Sequence, residues 1–108
     1  MEQGNGFIKL YRKVLDWGYF EDSHMVHMLV YMLLSSSFKD QKYRGVEIKK
    51  GQILTSLGVI HRKTNMSLQT IRTCLKKMER DGIIEQKTTK EWRLITICNY
   101  DNYIAQED

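Results

Sequence analysis

The stretch "MSLQTIRTCLKKMERDG", residues 66–82, decides how this chain is read. At about 100° per residue, Leu68, Ile71, Cys74, Leu75 and Met78 share one face of a helix. Gln69, Thr73, Lys76, Lys77 and Arg80 take the opposite side, with Thr70 and Arg72 on the flanks. Ser67 is a good N-cap and Asp81-Gly82 a good stop. Such a helix is either a reader of an anionic groove or the solvated face of an ordinary domain, where cations near a helix C-terminus are favoured by its dipole. Its neighbours must decide.

Upstream, Leu57 to about Lys63 predicts a short helix weakened by Gly58, capped by Thr55 or Ser56. Thr64 and Asn65 form the break, and Asn tolerates the left-handed conformation of a tight turn. Downstream, Ile83 and Ile84 return to the core, and "EQKTTKEWRLITIC" predicts two strands around a tip near residues 88–91. Both faces of the second strand carry apolar groups. A short helix, a tight turn, a longer basic helix and a hairpin make the order of a winged helix-turn-helix. The expected fold class is therefore mainly α with a small β-hairpin (α+β).

The remainder of the chain fits around that unit. Phe7, Leu10, Tyr11, Val14 and Leu15 recur at helical spacing, so Phe7 to Trp17 predicts an amphipathic helix ended near Gly18. Asp22 or Ser23 caps a second helix to about Ser35 that is apolar almost all round; it is either central in the core or half of an oligomer contact. Val46 and Ile48 alternate with charged neighbours, and Lys50-Gly51 makes a turn, giving one or two short strands before the first capped helix. From Asn99 the chain is polar and acidic.

The 108 residues carry a net charge of +4 and are expected to form one soluble domain by size and composition. The charge is unevenly placed. Residues 1–38 hold three bases against four acids, residues 39–61 five against two, residues 62–93 nine against four, and residues 94–108 three acids alone. The basic middle would draw an anionic partner, although solvated lysines give similar totals. The apolar run Met25 to Leu34 is too short to span a bilayer, and no basic-then-apolar segment opens the chain, so a cytoplasmic location is expected. Cys74 and Cys98 lie in apolar patterns, as buried free thiols do.

Three pieces resemble the N-terminal winged-helix domain of DnaD-like primosome proteins and phage replisome organisers. They are "KKGQILTS", "SLQTIRTCLKKMERDG" and "LITICNYDNY", within a likeness running from about Gly6 to Tyr103. The glycine usual before the recognition helix is replaced here by Asn65-Met66. The resemblance implies a DNA-binding module in phage or bacterial replication initiation. Its partners would be duplex DNA, single-stranded DNA as a further form, and other copies of the chain. Helicase-loading machinery would be met through a C-terminal domain, and location would be a bacterial host cytoplasm. The domain is placed at residues 1–103, with 104–108 a polar tail beginning a linker.

The candidate groove readers on the helix are Gln69, Thr70 and Thr73, since Gln can pair bidentately with adenine. Arg72, Lys76, Lys77 and Arg80 would meet phosphates. In the wing, Lys87, Thr88, Thr89, Lys90 and Arg93 would follow the backbone or a minor groove, or merely keep a hairpin edge soluble. Lys39, Lys42, Arg44, Lys49 and Lys50 form a second basic patch, read as surface. Trp92 is expected to face the core. His24 and His27 have metal-compatible spacing but lack a third ligand, and the Met25, Met28, Met32 row reads as core. No nucleophile–base set, phosphate loop or carboxylate pair is present, so neither enzyme, cofactor nor metal centre is expected. Two other roles suit the same fold: an oligomerisation module that reads no DNA, and a transcription regulator.

Overall fold

The computed structural model of the protein describes residues 6–105. Its elements run α1 (Ser23–Ser35), β1 (Gln41–Tyr43), β2 (Val46–Ile48), β3 (Gln52–Thr55), α2 (Leu57–Thr64), α3 (Leu68–Arg80), β4 (Ile84–Thr88) and β5 (Arg93–Ile97). Single 3-10 turns lie at Arg12–Asp16 and Tyr100–Asn102. The strands β3, β5 and β4 form one antiparallel sheet with β5 in the middle, and β1 with β2 forms a separate hairpin.

Each helix begins where a short polar side chain can take orphaned backbone N–H groups. Asp22 accepts from the amides of His24 and Met25, Ser56 from Val59, and Ser67 from Thr70. The helices then bury one stripe each. Met25, Met28, Leu29, Met32 and Leu33 of α1 meet Ile60 of α2, Ile71, Cys74, Leu75 and Met78 of α3, and Ile53, Ile84, Ile95 and Ile97 of the sheet. The α1 helix is thus central, and its methionines are core. Val30 and Leu34 remain exposed on its outer side. The wing's alternation is equally regular: Ile84, Ile95 and Ile97 are buried, Ile84 opposite Ile97 across β4–β5 and Ile95 opposite Gln86 on β4 and Ile53 on β3.

The N-terminal segment departs from the expected amphipathic helix. Only Arg12–Asp16 turns, as a 3-10 element, and Phe7, Leu10, Tyr11 and Leu15 stay exposed, Phe7 at 71 %. The reason is a distant partner. The Tyr11 amide donates to the Tyr103 carbonyl at 2.9 Å, the Ala105 amide to the Lys9 carbonyl at 2.8 Å, and Leu10 bridges Ile104. Those bonds satisfy the backbone in an extended form, so the helix has nothing left to supply. The same pairing corrects the reading of the tail. Ile104 is buried, and Tyr100 and Tyr103 pack on the core. Residues 106–108 of that tail lie outside the described residues.

Candidate nucleic-acid interface

The turn between α2 and α3 is built from four local hydrogen bonds. Asn65 takes the left-handed conformation (φ 61°) and its amide donates to the His61 carbonyl at 2.8 Å. Thr64 Oγ1 donates to the Ile60 carbonyl at 2.7 Å and accepts from the Met66 amide at 3.2 Å. His61 Nδ1 donates to the Met66 carbonyl at 2.7 Å. Met66 itself is buried beneath the turn. Asparagine can stand where glycine is usual because its small polar side chain is among the few that enter this region readily. The turn between α2 and α3 is therefore fixed by hydrogen bonds within residues 60–66 as well as by the buried Met66.

At its far end α3 stops with Gly82 at φ +74°, its amide on the Glu79 carbonyl and that of Ile83 on the Met78 carbonyl. Between these ends the amphipathic face is nearly as expected: Ile71, Cys74, Leu75 and Met78 are buried. Leu68 is the exception, 42 % exposed in the first turn, where the helix projects beyond the core.

The candidate residues separate into two groups. Gln69, Arg72, Thr73 and Lys76 are exposed, and none makes a side-chain hydrogen bond or ion pair with another described residue. Lys77 is half-buried and pairs with Asp22 at the start of α1, Nζ to Oδ2 3.9 Å. Arg80 bonds Asp81, Nε to Oδ1 3.0 Å, and reaches the Tyr19 hydroxyl at 3.3 Å, while that hydroxyl donates to Asp81. Arg80 and then Tyr19 hold the Asp81 carboxyl below its ordinary value. Chiefly through its bond to Asp81, the Tyr19 phenol is raised. Thr70 is half-buried, and its hydroxyl accepts from Ser67 at 2.9 Å as part of the helix cap. The two C-terminal cations are thus anchored to the N-terminal third of the chain. Of the free groups, Gln69, Arg72 and Thr73 lie in the first half of α3, the part of a helix-turn-helix's second helix that meets base edges, and Lys76 lies just past its middle.

The wing stands beside α3 through a chain of three side chains. Arg93 Nη1 donates to Gln86 Oε1 at 2.7 Å, and Gln86 Nε2 donates to Glu79 Oε1 at 3.1 Å. Register puts Thr88 opposite Arg93, on the sheet face shared with Gln86, and Lys87 opposite Leu94 on the other face. Thr89 is structural: its hydroxyl bonds the amides of Glu91 and Trp92 and the Trp92 carbonyl, closing the tip. Lys90 is exposed at that tip beside Glu91. Trp92 does not face the core as expected; it is half-buried at the root of the tip, where the strand has already left the helices. Arg62 and Lys63, exposed in the last turn of α2, were not among the sequence candidates. The "HRK" run directly before the turn was the available signal.

Among the described residues no group of three or more His, Cys, Asp or Glu side chains is placed to hold a metal ion. The two cysteines are free, Cys74 buried and Cys98 half-buried, and burial raises both thiols. No helix is long and apolar enough to cross a membrane among those residues.

A short α2, a three-residue turn, a longer α3 and a two-stranded wing against a third strand define a winged helix-turn-helix, the fold class expected from the sequence. Residues 55–85, from the end of β3 into β4, match the model of winged helix-turn-helix DNA-binding proteins. That match covers under a third of the chain. No curated protein and no solved structure matches it.

Proposed function

We propose that the protein is a DNA-binding module in which α3 enters the major groove. The observation that carries this is the set Gln69, Arg72, Thr73 and Lys76: exposed, without side-chain partners among the described residues, and held at one pitch by a capped turn. Gln69 and Thr73 meet base edges, and Arg72 and Lys76 meet phosphates. Lys90 at the wing tip and Arg62 and Lys63 at the end of α2 add backbone contacts on either side. Lys77 and Arg80 contribute less to DNA than charge alone suggests, because both are committed to carboxylates. No chemistry is performed on the nucleic acid.

The finer role is replication initiation. It is supported by the likeness of "KKGQILTS" and "LITICNYDNY" to replisome organisers, and contacts with helicase-loading machinery belong to that role. Self-association is favoured by a specific observation, the exposed Phe7, Leu10, Tyr11 and Leu15 along the N-terminal segment. The test is titration of duplex DNA of mixed sequence across a salt series, with mass measured by light scattering. Binding that falls steeply with salt supports the module. A stable oligomer with no DNA affinity at low salt refutes groove reading and leaves an oligomerisation role. One sharply preferred operator, read by paired helices about 34 Å apart, makes it a transcription regulator instead.

A further inference from the structure

The β1–β2 hairpin carries a feature that the winged helix-turn-helix does not use. Its turn, Arg44-Gly45, has positive φ at both residues (51° and 80°), the twist that suits a two-residue hairpin. Two-stranded hairpins are weak alone, and polar bonds tie this one down. Gln41 Nε2 donates to Ser37 Oγ at 2.8 Å, the Lys50 amide to Asp40 at 3.1 Å, and Ile48 is buried. The two aromatic rings take no part in that anchoring. Phe38 is 77 % exposed and Tyr43 52 %.

Each ring comes with a cation. Lys39 Nζ lies 5.6 Å from the centroid of Phe38, and the Arg44 guanidinium 5.3 Å from that of Tyr43. Both rings border one open hollow of about 300 Å³, whose other walls include the polar side chains of Ser35, Ser36, Gln41 and Gln52. The ladder puts Lys42 and Glu47 opposite each other on the back of the hairpin, where they offset one another, and Asp40 is turned into the Lys50 turn. The hollow is thus bordered by two rings, each with its own cation within about 6 Å of the ring centre.

We infer that this face of the hairpin is a second nucleic-acid site, one that takes an unpaired strand. Every base offers a π-face to an exposed ring, and a cation beside each ring meets the flanking phosphate. Duplex DNA does not suit it, since its bases are already stacked. A second copy of the chain does not suit it either, because a two-fold contact would bring Lys39 and Arg44 against like charges. The hairpin joins β3 at the end of the sheet opposite the wing tip, so its strand site is separate from the wing. The inference does not depend on groove reading by α3.

The experiment titrates fluorescein-labelled oligo-thymidylate and oligo-uridylate, about 20 nucleotides each to span a site of this kind, and a duplex of equal length. The wild-type chain is compared with the F38A/Y43A and K39Q/R44Q double variants, and all are weighed by light scattering. The ring variant should lose about tenfold or more on the single strands while its duplex affinity changes by less than about twofold. The cation variant should lower the single-strand salt slope by about 1.4. The oligomer that binds more tightly identifies the strand as DNA or RNA. No wild-type binding to either single strand at low salt overturns the inference. So does an unchanged single-strand affinity in the ring variant, an equal loss on duplex, or a change in oligomeric mass alone.

Discussion

Replacing Arg72 and Lys76 together by glutamine removes the two cations of α3 that no carboxylate of the described residues holds. Each phosphate contact contributes about 0.9 to the slope of log affinity against log salt on duplex DNA. Losing two lowers the slope by about 1.8, and over the fourfold rise from about 50 to 200 mM salt the wild-type advantage shrinks about twelvefold. Replacing Lys77 and Arg80 by glutamine should move the slope by less than half as much. Lys77 already faces Asp22, and Arg80 faces Asp81 and Tyr19. Fluorescence anisotropy on one duplex at five or so salt concentrations reads both variants directly. Because Arg72 and Lys76 are exposed, the circular dichroism spectrum of the variant should match that of the wild type. A slope that falls equally for both pairs, or stays constant for the first, would sink the division of α3 into free and committed cations.

Other perturbations test the scaffold. Ser67→Ala removes the acceptor for the Thr70 amide at the start of α3 and should cost about 1 kcal/mol, read as a lowered midpoint in urea. Gly51→Ala must hold a side chain at φ +82°, with its Cβ 3.3 Å from the Tyr100 ring root. It should lose about 1–2 kcal/mol, or roughly 4–8 °C of melting temperature per kcal/mol, and an unchanged melt would contradict that geometry. The Tyr19–Asp81–Arg80 cluster has a pH signature. Asp81 is depressed in the folded chain, so its contribution is present above its unfolded pKa near 4 and fades as pH falls through the folded value. Tyr19 is raised, so its contribution is present below its unfolded pKa near 10 and fades as pH climbs through the folded value. Tyr19→Phe should flatten the alkaline limb of a denaturation series, and Asp81→Asn should flatten the acid one.

The helix-turn-helix was legible because its information is local. Ser56, Ser67 and Gly82 punctuate two amphipathic stretches within one window, and burial of Ile71, Cys74, Leu75 and Met78 follows from spacing alone. The Arg44-Gly45 turn is hard to read in "YRGV", since arginine is an unusual residue at positive φ. The failure at the N-terminus has a different cause. Phe7, Leu10, Tyr11 and Leu15 satisfy a helical template, yet the bonds that decide their conformation come from Tyr103 and Ala105, some ninety residues away. No local pattern carries that pairing. Trp92 misled for a related reason: a large ring usually means core, but here the hairpin has passed the helices. For the site, sequence supplied the residues but not their commitments. Lys77 and Arg80 look equivalent to Lys76 until α1 and Tyr19 are placed beside them.

The antiparallel contact of residues 9–11 with residues 103–105 has a consequence for engineering the chain. Lys9 and Ala105 share a backbone hydrogen bond, so Gly6 and Ala105 are about 16 Å apart at most, three extended steps plus the width of one antiparallel pair. A linker of a few glycines and serines would join them without strain, and new termini could then be opened at the exposed Lys90-Glu91 tip. Such a circular permutant would retain α3 and its capped turn unbroken while cutting the wing at its end. Its DNA affinity, compared with that of the parent, would isolate what a covalently closed wing tip contributes.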